Sequence, residues 1–405
     1  MGENFDVIIV GGGLGGLSLA YGLAERGRSV AVLEARAGVK PVKRGMSISP
    51  SGLEALDKLH LLDDVEKIGV KVRLVKFLKS NGEPLVTYDY SFLKHPQNYI
   101  LTVLPHELDS LLRKNALAKG VKLYDGALFE GLSSENGQSR GVQANIRGAT
   151  CDLRAEVIVG ADGAMSKVRG SVGIRVEVQK YQHDYVVTVA GEVENSAEEA
   201  RHYLAKGKML GMFPLIGGTY LFYYLPTGTF EGLKARGLDS FKADLVALAP
   251  ELADPLATNQ SWEDFPHMTP QRVRANSWVS DRVALIGDAV HSLEPTLGQG
   301  GSLTLQDVVA LLGVLDQCFG ETDFSENALK RYEESRKPQT EFIQIMAERA
   351  AMYMNTSSPV IAWLRDRSLR NSQKNRTTML LAMEMASGLK HRLGIIEKLK
   401  LAGIV

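Results

Sequence analysis

Three glycine-rich stretches, each directly after a short apolar run rich in β-branched residues, constrain the fold of this chain most strongly. The first, Gly11-x-Gly13-x-x-Gly16, lies between the apolar run 6–10 and the helix-forming residues 17–20. This spacing predicts the strand, tight turn and helix of a dinucleotide site. Gly11 permits the tight turn, Gly13 leaves the backbone open beside a pyrophosphate, and Gly16 lets the helix pack against the strand. The N–H groups at the start of the helix would face the phosphates.

An acidic residue supports the same interpretation. Gly27 is expected to end the helix, residues 29–33 predict a second strand, and Glu34 follows it. Glu34 lies close to the distance of about 20 residues at which an acidic side chain meets a ribose hydroxyl, which favours an adenosine without a 2′-phosphate. FAD and NAD share this fingerprint, so the first motif alone does not distinguish them.

The other two stretches separate these cofactors. The sequence Ala-Asp-Gly at 161–163 follows the apolar run 156–160, and the longer motif 287–301 follows the run 282–286. With all three motifs the chain resembles the flavoprotein monooxygenases of the para-hydroxybenzoate hydroxylase type, whose signatures are GxGxxG, the DG motif and the GD motif. The resemblance covers about the first 340 residues.

The resemblance implies how FAD is held. Asp288 would hydrogen-bond the ribityl chain, and residues 298–301 would pass beside the pyrimidine end of the flavin. N–H groups at the start of the next helix would stabilise negative charge on reduced flavin, and Arg44 occupies the place of an arginine that contacts the cofactor. The expected cofactor-binding residues are Gly11, Gly13, Leu14, Gly15, Gly16, Glu34, Ala35, Arg36, Arg44, Gly45, His106, Asp162, Gly163, Asp288, Pro295, Gly298, Gly300, Gly301 and Ser302.

The chain departs from the family pattern at two positions. Before the predicted helix 108–118 the family carries arginine or glutamine, whereas this chain has His106. Either the titratable ring of His106 makes the flavin contact, or this residue makes no contact with the flavin. After the GQGG sequence the family commonly has asparagine, whereas this chain has Ser302. Serine is a good N-cap, so we expect the helix to start at this residue.

The predicted fold class is α/β, with a Rossmann-like FAD-binding domain, an inserted, mainly antiparallel substrate sheet and a helical C-terminal segment. The FAD-binding domain is predicted to comprise residues 1–70, 100–175 and 277–338. The substrate domain comprises 71–99 and 176–276, and the helical segment comprises 339–405.

Several strands of the substrate domain are visible in the sequence. Asn81-Gly82 between the runs 71–78 and 85–90 predicts a β-hairpin with a type I′ turn. The runs 185–191, 209–214 and 219–225 predict further strands, the last two joined at a glycine pair.

Alternation along two of these strands suggests a substrate pocket. It places Met212 and Pro214 on one face of their strand, and Phe222 and Tyr224 on one face of the next. We expect these four residues and Pro295 to line the pocket. The opposite strand face and a plain core role remain alternatives. No arginine or lysine falls within 209–225, so this sheet offers no anchor for a carboxylate. The expected substrate is therefore an apolar aromatic or heteroaromatic compound.

The resemblance implies a single-component monooxygenase. NAD(P)H reduces FAD, O₂ adds at flavin C4a, and the hydroperoxide hydroxylates or epoxidises the substrate, so that the flavin carries the difficult chemistry. The protein supplies a dry cavity. Since one complete GxGxxG occurs, the nicotinamide donor is expected to dock transiently. The catalytic residues are unknown; the candidates are His106, Tyr224 and His291, the last of which is mostly structural in the family.

Three alternatives belong to other functional classes. A halogenase of related fold would carry a WxWxIP segment, whereas Trp262, Trp278 and Trp363 stand alone. A flavin-dependent reductase of an isoprenoid or other lipophilic substrate is harder to separate from the leading interpretation. A non-enzymatic escort protein that retains the fold is disfavoured by the intact DG and GD motifs.

Composition restricts partners and location. Lys plus Arg equal Asp plus Glu at 47 each, which argues against nucleic acid as a partner. The cysteines, Cys151 and Cys318, form no CxxC pair, so neither a disulfide framework nor a metal site is predicted, and a cytoplasmic location is expected. We expect a monomer or homodimer.

The end of the chain is basic. Residues 361–405 hold nine Lys or Arg against three acidic residues and show helical apolar spacing. Such helices could touch an anionic membrane surface peripherally, or could form a helical cap with a solvated basic side.

Overall fold

The computed structural model describes residues 3–135, 137–194 and 196–401 as a parallel sheet joined to a second, mainly antiparallel sheet and a set of C-terminal helices. The strands are β1 Asn4–Val10, β2 Val30–Glu34, β3 Met46–Ile48, β4 Gly69–Val72, β5 Leu74–Lys79, β6 Pro84–Asp89, β7 Ile100–Val103, β8 Lys122–Asp125, β9 Ala127–Glu135, β10 Gln138–Ile146, β11 Ala149–Gly160, β12 Val176–Lys180, β13 His183–Ala190, β14 Glu199–Ala205, β15 Lys208–Leu215, β16 Gly218–Pro226, β17 His267–Met268, β18 Gln271–Ala275, β19 Val279–Ser280, β20 Val283–Leu285 and β21 His291–Ser292. The helices are α1 Leu14–Glu25, α2 Pro50–Lys58, α3 Leu62–Glu66, α4 Pro105–Ala118, α5 Lys167–Ser171, α6 Phe230–Ala235, α7 Leu238–Leu248, α8 Gly300–Glu321, α9 Glu326–Met354, α10 Pro359–Lys374, α11 Arg376–Ala386 and α12 Ile395–Leu401.

The parallel sheet brings the three glycine motifs together. Its strand order is β19-β20-β11-β1-β2-β8, and β20, β11, β1, β2 and β8 pair in parallel. The central strands are almost entirely apolar because they are buried on both faces. Since β20, β11 and β1 are neighbours, their carboxyl ends lie at one edge, where ligands bind in open α/β sheets. This confirms the predicted α/β class.

The second sheet has the order β17-β13-β16-β15-β14-β5-β6. The strands predicted at 185–191, 209–214 and 219–225 are confirmed as β13, β15 and β16, which pair antiparallel. The sequence analysis missed β14, which pairs antiparallel with β15 but parallel with β5. This parallel pair joins the early hairpin to the later strands.

The predicted hairpin is present, but its turn type was wrong. β5 and β6 pair antiparallel, while the start of the predicted run belongs to β4, which pairs with β7 in a separate sheet. A type I′ turn needs positive φ at both central residues. Gly82 has a φ of +80°, but Asn81 is not in the positive-φ region. The connection is a longer loop in which Lys79 N donates to Glu83 O at 2.9 Å.

Two small sheets contain strands from both predicted domains. One has the order β3-β7-β4, and the other has the order β12-β18-β21. The first includes the predicted boundary at residue 70, and the second links segments on either side of the boundary at 276. The domain division itself stays a prediction.

The C-terminal helices do not start where the sequence suggested. α9 continues through Pro338, so the proposed boundary between 338 and 339 falls inside a continuous helix. Proline removes one backbone hydrogen bond and usually kinks or breaks a helix. Here the packing of α9 against α8 and the strand β19 holds the two halves together.

Candidate active site

A cavity of about 620 Å³ lies between the glycine motifs and the second sheet. Of the residues predicted to bind the cofactor, those that line this cavity are Gly13, Leu14, Gly15, Arg44, Gly45, Gly163, Asp288, Pro295, Gly298, Gly300 and Gly301. A second cavity of about 440 Å³ is lined by Gly11, Gly13, Glu34, Ala35, Arg36 and Asp162. Because Gly13 borders both, the two cavities meet at the first motif.

The glycines of the first motif serve two different purposes. Gly11 has a φ of +108°, and a Cβ there would lie 2.2 Å from the Ala161 carbonyl oxygen. A Cβ on Gly16 would lie 1.9 Å from the Gly11 oxygen. A Cβ on Gly13, in contrast, would meet no atom of the described chain within 4 Å. Gly11 and Gly16 therefore permit close packing within the protein, whereas Gly13 leaves space for a ligand.

Glu34 holds the glycine loop in place. Its Oε2 accepts from Gly12 N at 2.7 Å, and its Oε1 accepts from Arg36 N and Nε, both at 2.9 Å. Burial alone would raise the pKa of this carboxyl, but the hydrogen bonds from Arg36 and Gly12 lower it overall. An ionised, buried Glu34 thus ends β2 beside the second cavity.

The DG motif contains a buried polar atom without a partner. Asp162 Oδ2 accepts from Lys167 N at 2.7 Å and from Val168 N at 3.1 Å, which caps α5. Its Oδ1 is buried and has no hydrogen-bond partner among the described residues. Buried polar atoms are normally paired, so Oδ1 is available to a ligand.

A residue that the sequence analysis did not select joins the DG and GD motifs. The buried Arg169 donates to the Ala289 carbonyl oxygen at 2.6 Å and to the Ala164 carbonyl oxygen at 2.9 Å. In the sequence Arg169 is the last residue of the stretch 160–169 that contains the DG motif. Its role becomes visible only when the sheet places both motifs at one edge.

Asp288 presents its carboxyl group to the large cavity. The side chain is accessible from the cavity although it lies deep within the protein. Burial raises its pKa, while the charges of His291 and Arg44 oppose that shift. This arrangement suits a carboxylate that accepts hydrogen bonds from a bound ligand.

His291 lies in a buried ionic network outside the cavity lining. Its Nε2 is 2.5 Å from Asp307 Oδ2, and Arg336 Nε donates to Asp307 Oδ1 at 3.0 Å. His291 is 2% exposed and Asp307 is fully buried. Asp307 also accepts from Gly287 N at 3.2 Å. Its partner Asp307 is internal, which favours a structural role over a catalytic one; the sequence analysis missed both Asp307 and Arg336.

The other base candidates also lie outside the cavity lining. Pro105 borders the cavity, whereas the adjacent His106 does not and lies 3.7 Å from Glu107. The Tyr224 ring packs against His183 at 5.0 Å and against Tyr185 at 5.9 Å. The structure therefore brings none of the three candidates to the cavity surface.

Ser302 does not cap the helix that follows the GD motif. α8 already begins at Gly300, with Gln299 at the N-cap position. Ser302 is buried in the first turn, where its Oγ accepts from Ser49 N at 3.0 Å. The expectation that Ser302 starts the helix was wrong because glycines, despite their low propensity, form the first turn.

The predicted facing of one strand in the substrate sheet was also wrong. Phe222 and Pro295 line the cavity as expected, but Met212 and Pro214 do not, and Phe213 takes their place. Met212 lies on the other face, in a core cluster with Phe241 of α7. Alternation identifies two faces, but the helices that cover one of them decide which face borders the cavity.

A buried carboxylate ties the GD loop to the substrate sheet. Glu294 is fully buried and accepts hydrogen bonds from the Tyr185 hydroxyl and from Thr296 N, the latter at 2.8 Å. His183 Nε2 lies 3.1 Å from the same carboxylate. Burial and Glu294 raise the pKa of Tyr185 well above its usual range. The sequence analysis missed this cluster because its two parts, at 183–185 and 294–296, lie more than 100 positions apart.

The C-terminal helices complete the cavity. Met354 of α9 and Met383 of α11 line it, as do Ala382, Met385 and Ala386 of α11. The Gln299 side-chain amide donates to the Ala386 carbonyl oxygen at the end of α11. Gly388, with a φ of +67°, allows the chain to pass close to Gln299. The segment for which the sequence suggested a membrane-facing surface or a helical cap therefore also forms a cavity wall.

Comparisons with known proteins agree with this geometry. A family described as FAD binding domain matches residues 4–346. The chain is similar to 6-methylpretetramide 4-monooxygenase of Streptomyces rimosus, with 30% identity over 86% of this chain and 84% of that protein. It is also similar to kynurenine 3-monooxygenase of Salinispora tropica, with 30% identity over 83% of this chain and 77% of that protein.

A solved structure shows the same likeness in three dimensions. The structure of Pseudomonas aeruginosa PqsL in complex with 2-aminobenzoylacetate superposes with a TM-score of 0.79 and 25% identity, covering 89% of this chain and 99% of that one. The family match extends over most of the chain. The chain therefore belongs to the FAD-binding family of aromatic monooxygenases.

Proposed function

We propose that FAD extends across both cavities, with its adenosine beside Glu34 and its flavin beside Asp288 and the loop 298–301. The open face of Gly13, the unpaired Asp162 Oδ1 and the carboxyl group of Asp288 fit the pyrophosphate and hydroxyl groups of such a ligand. The backbone N–H groups at the starts of α1 and α8 would face negative charge on the cofactor. When bound, FAD takes electrons from NAD(P)H and activates O₂ for transfer of one oxygen atom.

We further propose that the chain oxygenates an uncharged aromatic or heteroaromatic compound. The observation that carries this proposal is the wall opposite the motifs, to which the second sheet contributes Phe77, Tyr88, Phe213 and Phe222. Among the described lining residues, the formally charged ones are Arg44 and Asp288, both on the motif side. A carboxylate substrate on the sheet side would lose its hydration without gaining a countercharge.

The purified protein tests this function directly. We expect yellow protein, and an NAD(P)H oxidation rate that rises when a suitable aromatic compound is added. Labelled oxygen from ¹⁸O₂ should appear in the product. Colour and NAD(P)H oxidation without oxygen incorporation would favour the alternative of a flavin-dependent reductase. Colourless protein that does not take up FAD would contradict both enzyme functions.

We also propose a weak, peripheral contact between the C-terminal helices and anionic membrane surfaces. Val360 and Trp363 at the start of α10 are 66% and 59% exposed, and Ile395 of α12 is 78% exposed. The Arg367 guanidinium lies 5.6 Å from the centre of the Trp363 ring. Exposed apolar side chains next to basic ones are typical of interfacial helices. The expected monomer or homodimer and the cytoplasmic location stay predictions.

The membrane proposal predicts salt-sensitive binding to vesicles. At low salt the protein should co-sediment with vesicles that contain anionic lipid, and not with zwitterionic vesicles. At high salt less protein should bind, because salt screens the attraction between the basic residues and the anionic lipid. Trp363→Ser should reduce the bound fraction, whereas Trp262→Ser, outside this segment, should not. Equal sedimentation with both vesicle types would count against the proposal. Among the described helices, α8 alone is long and apolar enough to span a membrane, and half of that stretch is buried within the fold.

A further inference from the structure

A histidine lies within the aromatic wall of the cavity. His202 on β14 is opposite Phe77 on one side and Gly211 on the other, and Gly211 is in turn opposite Phe222. The imidazole stacks on Phe77 with ring centres 4.6 Å apart and planes 14° apart. It meets the edges of Phe213 and Phe222 at 5.4 and 5.8 Å. Aromatic side chains thus surround an imidazole that lines the cavity.

Gly211 makes room for this arrangement. A Cβ at this position would lie 2.1 Å from an atom of the Phe222 ring. The absent side chain lets Phe222 lie flat across β15, next to His202. Among the described lining residues, His202 is the one whose ring has nitrogen atoms that can form hydrogen bonds.

His202 has unused hydrogen-bonding capacity. It is 6% exposed, and its Nδ1 is buried without a hydrogen-bond partner in the described ranges. The Lys76 backbone forms a hydrogen bond with the imidazole, and Nδ1 is the ring nitrogen that remains without a partner. Burial lowers the pKa of His202 to about 4, and the Lys76 backbone only partly opposes this shift. The imidazole is consequently neutral at pH 7, with one N–H donor and one acceptor.

The Tyr185 hydroxyl on the same wall is already engaged. The Tyr185 hydroxyl donates to Glu294 and lies 3.0 Å from Thr296 Oγ1. A buried polar group without a partner costs free energy, which a bound molecule recovers by supplying the partner. His202 lines the cavity among aromatic rings, so a molecule bound there could supply the missing partner.

We propose that His202 is the polar anchor of the substrate site, and that it selects planar aromatic compounds with a neutral hydroxyl or ring N–H group. This inference rests on the proposed function and makes its substrate class narrower. The aromatic wall binds the ring system, and the imidazole fixes its orientation through one hydrogen bond. A neutral imidazole discriminates against compounds without the polar group rather than attracting charged ones.

The test compares two probes that differ by one hydroxyl group, 2-naphthol and naphthalene. Each is titrated into the FAD-loaded enzyme, and binding is followed by the change in flavin absorbance. We expect the wild-type enzyme to bind 2-naphthol about tenfold more tightly than naphthalene. His202→Phe should bring this ratio close to one while naphthalene still binds. His202→Gln, which retains donor and acceptor groups, should restore part of the preference.

A matched control removes another hydroxyl group from the cavity. Tyr220→Phe keeps the ring and should leave the preference for 2-naphthol unchanged. An unchanged preference in His202→Phe, or its loss in Tyr220→Phe instead, would overturn the proposal. If His202→Phe does not retain FAD, His202→Leu takes its place.

The proposed function fails in a different way. Protein without FAD, or without aromatic-stimulated NAD(P)H oxidation, contradicts the function and the anchor together. A yellow wild-type enzyme that responds to aromatic compounds but binds both probes equally overturns the anchor alone.

Discussion

Gly13→Val should produce folded protein that has lost FAD, with affinity reduced by about 100-fold or more, which corresponds to about 2.7 kcal/mol. The backbone at Gly13 is extended, and no described atom lies within 4 Å of a Cβ placed there. The substituted side chain would therefore fit in the protein without FAD. It would occupy the space beside the start of α1 where the pyrophosphate of a dinucleotide approaches the backbone. The flavin content of purified protein and titration of the apoprotein with FAD measure the effect.

Gly313→Val is the matched control. Gly313 also has open space around its Cβ position, but it is exposed on α8 and lies outside both cavity linings. This variant should bind FAD like the wild type. Without FAD, both variants should unfold near the wild-type temperature. Adding FAD should then stabilise the wild type and Gly313→Val, but not Gly13→Val, because stabilisation follows affinity. Normal FAD binding by Gly13→Val would contradict the assigned position of the pyrophosphate.

Asp307→Ala should lower the free energy of unfolding by about 3–5 kcal/mol. Asp307 is fully buried between His291 and Arg336, and Arg336 is itself 5% exposed. Removing the carboxylate leaves the guanidinium buried without its charge partner and the Gly287 N–H without an acceptor. Urea denaturation of the wild type and the variant measures the difference in the free energy of unfolding. The slope of this free energy against urea concentration should be the same for both proteins.

Asp316→Ala on the same helix provides the comparison. Asp316 pairs with Arg26 at 2.9 Å, and both side chains are about two-fifths exposed. Its loss should cost less than about 1 kcal/mol, since solvent weakens exposed pairs. Equal effects of the two substitutions would contradict the structural importance of the buried network.

The same network predicts how stability depends on pH. Burial alone would raise the pKa of Asp307, but His291 and Arg336 lower it overall. A carboxyl whose pKa is lower in the folded state stabilises the protein above its unfolded-state pKa, and this contribution disappears as the pH falls through the folded-state pKa. Acid should therefore destabilise the wild type more than Asp307→Ala.

The nucleotide site could be predicted from the sequence because its determinants are local. The Gly11 to Gly16 spacing, the apolar runs on either side and Glu34 lie within about 30 consecutive residues. Each glycine has a steric reason that a single motif can encode. The sequence also indicated the DG and GD motifs, and the parallel order of β20, β11 and β1 explains why three distant motifs meet.

The aromatic wall could not be derived in the same way. Whether Met212 or Phe213 borders the cavity depends on α7, which covers one face of the sheet from a later part of the chain. Similarly, the predicted boundary between 338 and 339 falls inside α9, which packs against α8. His202 lies on β14, a strand that the sequence analysis missed, so its place in the wall could not be inferred.

The helices α9 and α11 contribute a part of the cavity lining that is separate in sequence from the glycine motifs. The glycine motifs proposed to hold FAD and the aromatic wall both lie before residue 303, whereas Met354 and Met383, which also line the cavity, come after it. Chimaeras that exchange only their final helices among relatives should therefore oxidise different compounds with an unaltered electron-transfer apparatus. Diversification of this enzyme, by nature or in the laboratory, can then begin at its carboxyl terminus.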